Sequence, residues 1–195
     1  MSRRRAIPSA LLALVIAGGA LAVGTGTAAA ARPSLASAKL GPDGLGPVRI
    51  GMTEVQARTA TRSRLKVTQR SGSCAVLSAS GRGVQPGIYF LLTDGVVRRA
   101  TVALTPTVNL VNLTTKGLRL SSPDSEVRRI YGRPVLAARN PSSGGVDLVY
   151  KPRPKAFPQR RYVFSTGSFG GLNGRYVTAM SVGEMPEARY SEACS

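Results

Sequence analysis

Histidine is absent from this chain, and so is tryptophan. Without imidazole neither a Ser-His-Asp nor a Cys-His site can be assembled, and the usual general base and commonest metal ligand are missing. Without tryptophan, interface hot spots must be built from tyrosine and arginine. Acids are scarce: Asp43, Glu54, Asp94, Asp124, Glu126, Asp147, Glu184, Glu187 and Glu192 stand against 27 lysines and arginines. A carboxylate pair for glycoside hydrolysis is not excluded by spacing. Yet Glu54, Asp124 and Glu126 fall where helices begin and Asp94 falls in a turn, while Asp147 has room to face an arginine on a sheet. This inventory yields no catalytic residue, no metal ligand set and no cofactor. Aromatic residues are few, so base stacking is poorly served and no nucleic-acid partner is expected. Cysteine is limited to Cys74 and Cys194. In an exported chain such a pair reads as one disulfide, tying the C-terminus to the first half.

The chain opens with Arg3, Arg4 and Arg5, an apolar run from Ala10 to Val23, and the small residues Ala28 to Ala31. Those are the three parts of a secretory signal, with cleavage expected after Ala30 or Ala31. The apolar run is too short and too rich in Gly and Ala to span a membrane comfortably, and no second such segment follows, so the mature chain has no expected transmembrane anchor. Loss of the signal removes three arginines and no acid, lowering the formal charge from +18 to about +15. A charge of that size favours anionic surfaces, which outside a bacterium are envelope polymers, lipid head groups and acidic proteins. Arginine outnumbers lysine 22 to 5, a bias typical of GC-rich genomes.

The expected order along the chain is a signal peptide over 1–31, a flexible linker over 32–43, a first unit over 44–108, a second over 115–186 and a tail over 187–195 held by the disulfide. In the first unit Thr53 and Gln56 form a Thr-x-x-Gln capping box, so a helix is expected from Glu54 to about Arg62, with Val55 and Ala60 toward the core. Strands follow at 65–69 and 74–79, then a hairpin over 87–104 turning at Asp94-Gly95. In the second, Ser122 reads as the N-cap, Pro123 as the first helical position and Gly132 as the C-terminal cap before Pro134. Val127, Ile130 and Tyr131 share one helical face. Strands are expected at 134–140, 146–151, 160–167 and 174–183. The shared order predicts an α+β fold of two tandem repeats, each a short helix plus a roughly four-stranded antiparallel sheet.

The segments "VRIGMTEVQARTA" (48–60) and "GLRLSSPDSEVRRIYG" (117–132) carry a resemblance. The layout resembles the β-lactamase-inhibitory-protein fold, and the first motif is similar to the entry motif of BamE outer-membrane-assembly lipoproteins. The resemblance implies an exported protein of that two-copy architecture, with low functional specificity. Departures limit it: the inhibitory proteins carry one disulfide within each repeat and aromatic-rich sheet faces, and the BamE lipoproteins need a lipidated cysteine.

Two segments are candidate surfaces. "GSFGGLNG" (167–174) has no helix after it to make a phosphate loop, so it reads as a long hairpin loop with Phe169 exposed at its tip. "YKPRPKAFPQRRY" (150–162) sets Lys151, Arg153, Lys155, Arg160 and Arg161, with Phe157, among three prolines that keep the loop extended. The expected function is that of a secreted, non-enzymatic binding protein at the envelope or outside the cell, an adaptor or inhibitor. Its expected partner is an anionic envelope component or another exported protein. The alternatives are an envelope enzyme using scattered carboxylates and a wall component held by charge.

Overall fold

The computed structural model describes residues 34–189 and Cys194, apart from 36, 62, 82–83, 85–86, 106–113, 141–143, 154–156 and 170–171. The side chains of Phe169, Leu172 and Asn173 are outside that description, as are the expected signal peptide and Lys155.

The chain is mostly β. Three two-residue strands, β1 (Leu40–Gly41), β2 (Gly44–Leu45) and β3 (Val48–Arg49), form a small antiparallel sheet. Helix α1 (Glu54–Ala60) leads into β4 (Arg64–Ser71), β5 (Cys74–Ser80), β6 (Ile88–Thr93) and β7 (Val96–Ala103). Helix α2 (Asp124–Tyr131) leads into β8 (Leu136–Arg139), β9 (Val146–Tyr150), β10 (Arg160–Phe169) and β11 (Leu172–Glu184). A single 3-10 turn, Glu187–Arg189, follows.

The eight long strands form one antiparallel sheet in the order β4-β5-β6-β7-β11-β10-β9-β8. This overturns the expected α+β arrangement of two tandem repeats, each with its own sheet. The physical reason is the β7–β11 ladder, in which Ala100 pairs with Val182, Val102 with Met180 and Ala103 with Ala179. Two separate sheets would leave both of these strands as edges with unpaired backbone groups; joining them satisfies that hydrogen bonding.

Each helix entry is stitched to one of these two central strands. Gly51 N–H donates to the Val97 carbonyl at 2.8 Å and Val97 N–H to Met52 at 2.8 Å. Likewise Ser121 N–H donates to Val177 at 2.7 Å and Val177 N–H to Ser122 at 2.8 Å. At α1 the Thr53 hydroxyl accepts from Gln56 N–H at 3.3 Å and the Gln56 side chain accepts from Thr53 N–H at 2.9 Å, a reciprocal capping box. At α2 the N-cap is Pro123, not Ser122, and it offers no side-chain bond. The Ser122 hydroxyl is engaged instead by Arg119 N–H at 3.4 Å. Gly132, at φ 82°, returns its N–H to the Arg128 carbonyl at 2.8 Å.

Helices and small sheet cover one face of the large sheet and form the main core. Phe90, Phe164, Leu77, Met180 and Val127 meet Leu40, Leu45 and Val48 there. Leu35, Ala38 and Leu40, within the span read as a linker, are buried in this core. Ala57 is the buried residue of α1, whereas Val55 is 72% exposed, against expectation. Asp94 (φ 52°) and Gly95 (φ 72°) make the β6–β7 turn with two left-handed residues, as a type I′ hairpin requires. The expected long loop at 167–174 is shorter than that, because Phe169 pairs with Leu172 and the β10–β11 ladder runs on through register shifts.

Candidate anion-docking surface

Six of the eight described acids are held by arginines. Asp43 pairs with Arg49, Asp124 with Arg175 at 3.0 Å, Glu126 with Arg129 at 3.3 Å and Glu184 with Arg98 at 2.8 Å. Glu54 takes Arg58 at 2.8 Å and Arg70 at 3.1 Å, and hydrogen bonds from these two hold its carboxyl below the usual range although burial opposes them. Asp147 is buried and accepts from Asn140 Nδ2 at 3.0 Å and Ser165 Oγ at 2.8 Å; the arginine beside it, Arg189 at 4.0 Å, comes from the C-terminal segment and not from the sheet. Among the described residues no group of three metal-ligating side chains converges.

The basic loop does not form one continuous strip. Arg160 is turned inward: its guanidinium donates to the Pro42 carbonyl at 3.4 Å and the Ile50 carbonyl at 3.3 Å, and lies 4.1 Å from the Phe157 ring centroid. It clamps the small sheet and α1 entry onto the large sheet. Arg161 donates to the Pro158 carbonyl at 2.7 Å and the Arg160 carbonyl at 2.6 Å, so it braces its own loop. Lys151 and Arg153 remain exposed.

Arg153 has a neighbour that sequence reasoning passed over. Lys116, from the segment that leads into α2, sets its ammonium 4.5 Å from the centroid of the Tyr131 ring. Burial lowers the Lys116 ammonium from its ordinary value, and the nearby charge of Arg153 lowers it further. Neither Lys116 nor Arg153 lies within ion-pair reach of an acid among the described residues. Arg128, exposed on α2, adds a third charge near Tyr150.

Beneath these cations lies a cluster of four rings. Tyr131 is 4.7 Å from Phe164, 5.6 Å from Tyr150 and 5.6 Å from Tyr162, centroid to centroid. These tilted and edge-on contacts fix the last turn of α2 on β9 and β10. The result is a cationic rim on a rigid aromatic floor. It can attract an anionic group.

The floor also sets an alkaline limit on stability. Burial raises the phenols of Tyr131, Tyr150 and Tyr162 above the ordinary value of 10.0, and the Tyr150 hydroxyl has no hydrogen-bond partner among the described residues. The unfolded chain therefore releases these protons first. Their stability is fully present below pH 10 and is lost as pH rises from there toward the folded values. For Tyr162, the most strongly raised of the three, the expected loss approaches about 1.4 kcal/mol per pH unit above pH 10, and Tyr131 and Tyr150 add to it in the same direction. Urea midpoints measured from pH 8 to 11, with tyrosinate absorbance followed in parallel, check it; a flat midpoint across pH 10 to 11 would contradict the burial argument.

On α1 an open groove of about 590 Å³ is lined by Ile50, Gly51, Met52, Val55, Gln56, Thr59 and Ala60. It is apolar and carries no charged lining group. Phe169 lies where β10 turns to β11. Lys116 and Arg153 are far apart in sequence, and the charge of one reaches the other only in the fold.

The Cys74–Cys194 disulfide is present, across 120 residues. Among the described residues no helix is long and apolar enough to cross a membrane. Comparison of the chain with protein-family models, curated proteins and solved structures found no match in any of the three.

Proposed function

We propose that this chain is an exported binding protein that docks an acidic partner on the rim formed by Lys116, Arg128, Lys151 and Arg153. The observation that carries the reading is Lys116, whose ammonium stands over the Tyr131 ring within electrostatic reach of the like charge of Arg153, with no described acid in ion-pair reach of either. Such a pair costs energy in the free protein, and a bound anion relieves it. The disulfide supports export, because such bonds persist in oxidising compartments. Arginines tether six of the eight described acids, Asp124 and Glu126 of α2 among them, so the cations of the rim are suited to steering an anionic envelope polymer or the acidic face of an exported protein.

The triple variant Lys116→Ala, Lys151→Ala, Arg153→Ala tests the reading. Binding of the mature protein to a fluorescent poly-glutamate peptide and to a poly(glycerol phosphate) oligomer is followed by anisotropy at low and at about 0.15 M salt. The variant is expected to bind at least about tenfold more weakly to the preferred probe, with a shallower salt dependence and an unchanged unfolding midpoint. Wild-type and variant proteins that bind both probes alike would remove the rim as the docking site. The stronger of the two probes distinguishes a polypeptide partner from a phosphate polymer.

A further inference from the structure

The face of the large sheet opposite the helices carries buried polar groups where a solvated face would ordinarily be found. Register places Arg99 beside Gly183 and Leu91, and Thr101 beside Ser181 and Tyr89. Arg99, Thr101 and Asp147 are each 1–2% exposed. What covers this face is the chain following β11. The Glu187 carbonyl accepts from Arg99 Nη1 at 3.0 Å, Ala188 is buried with Val149 and Val163, and Arg189 lies 4.0 Å from Asp147.

This seat is small. Its apolar part is three residues, and its local structure is one 3-10 turn closed by Arg189 N–H to the Pro186 carbonyl at 2.9 Å. The main core lies on the other face and includes no residue of the segment. The second anchor is covalent: Cys194 is bonded to Cys74 at the start of β5, and its carbonyl accepts from Gln69 Nε2 at 3.4 Å. With both anchors in place, the segment's return to its seat is intramolecular and confined. With the bond broken, buried Ala188, the Arg99–Glu187 hydrogen bond and the Arg189–Asp147 contact must hold the segment against its conformational entropy. Both cysteines are only partly buried, so a thiol can reach them.

We propose that the C-terminal segment is a thiol-released strap: reduction of Cys74–Cys194 frees it and uncovers Arg99, Asp147, Val149 and Val163 while the sheet beneath stays folded. The reductant is a dithiol. One of its thiolates attacks a sulfur of the bond, forming a mixed disulfide and expelling the other cysteine as a thiolate. The second thiol then displaces the remaining cysteine. Two electrons and two protons pass to the protein, which ends with two cysteine thiols, and the reductant ends as a disulfide.

Hydrogen exchange and limited trypsin digestion of the oxidised protein and of the same protein reduced with dithiothreitol test the proposal under native conditions. On reduction, protection of residues 186–189 is expected to fall at least about tenfold, and cleavage after Arg189 to accelerate similarly, since both follow the open population. Amides of β6, β7 and β11 are expected to stay better protected than those of 186–189, exchanging only through the global unfolding whose free energy the lost bond lowers. The double variant Cys74→Ser, Cys194→Ser should show the reduced pattern with no reductant present; if it does not fold, the reduced wild-type protein decides the matter. Unchanged protection at 186–189 overturns the strap. So does a reduced protein whose sheet amides exchange as fast as those of 186–189, because the bond would then hold the whole fold.

Discussion

Removing the disulfide lowers the free energy of unfolding by about 4–5 kcal/mol, the value a chain-entropy account assigns to a closed loop of this length. The separation between Cys74 and Cys194 is 120 residues, which encloses most of the described chain. The bond acts mainly on the unfolded ensemble, by forbidding conformations in which the two ends separate. Its effect on the native state is local, at the C-terminal segment, so the sheet of the double variant should keep its native signature while its urea midpoint falls. The check is a pair of urea titrations, oxidised wild type against Cys74→Ser, Cys194→Ser, with equal denaturant slopes required before the midpoints are compared. A loss below about 1 kcal/mol would mean that the unfolded chain keeps these segments close without the bond.

The same bond shows what the sequence made legible. Two cysteines admit one pairing, so counting suffices. Local chemistry was equally readable: the Thr53–Gln56 box starts α1, and Asp94-Gly95 turns the β6–β7 hairpin, because each signal is contained in four residues. The sheet as a whole was not. Its decisive ladder joins β7 to β11 through pairs such as Thr101 and Ser181, and no local pattern declares that two strands so far apart in the chain are neighbours. Treating each four-strand run as a sheet of its own was the natural error.

Helix faces failed for a related reason. Val55 looked like a core residue by type, but the α1 entry is fixed by backbone bonds from Gly51 and to Met52, and these turn Ala57 inward and leave Val55 in water. The basic loop divides in a way that charge counts do not show, because they do not distinguish an arginine that caps carbonyls from one left exposed. Arg160 and Arg161 spend their donors on Pro42, Ile50 and Pro158, whereas Lys116, in an unremarked loop, stands over Tyr131. The aromatic floor was half legible: Val127, Ile130 and Tyr131 share a helical face, but the convergence of Tyr150, Tyr162 and Phe164 on it depends on the β9–β10 pairing of Tyr150 with Tyr162 and of Leu148 with Phe164.

Phe164→Ala is expected to cost about 3–5 kcal/mol, the range for emptying a fully buried aromatic site. Phe164 has no exposed surface, and its ring meets Tyr131 at 4.7 Å, Tyr150 at 5.7 Å and Tyr162 at 6.2 Å. The other three rings are fixed by α2, β9 and β10, so they can close only part of the space, and the cavity should persist. Phe164→Leu keeps most of the volume and should cost less than about 2 kcal/mol. The same site ties stability to docking. Tyr131 loses its nearest ring partner in the alanine variant, so the ring under Lys116 is no longer fixed, and binding of the anionic probe should weaken even at temperatures where the variant is folded. Urea midpoints of the wild type, Phe164→Leu and Phe164→Ala should fall in that order, with probe affinity falling in the same order. An alanine variant within about 1 kcal/mol of wild type would show that the ring cluster is not what seats α2 on β9 and β10. An alanine variant that loses stability yet binds the probe normally would show that the rim needs only its charges and not the floor beneath them.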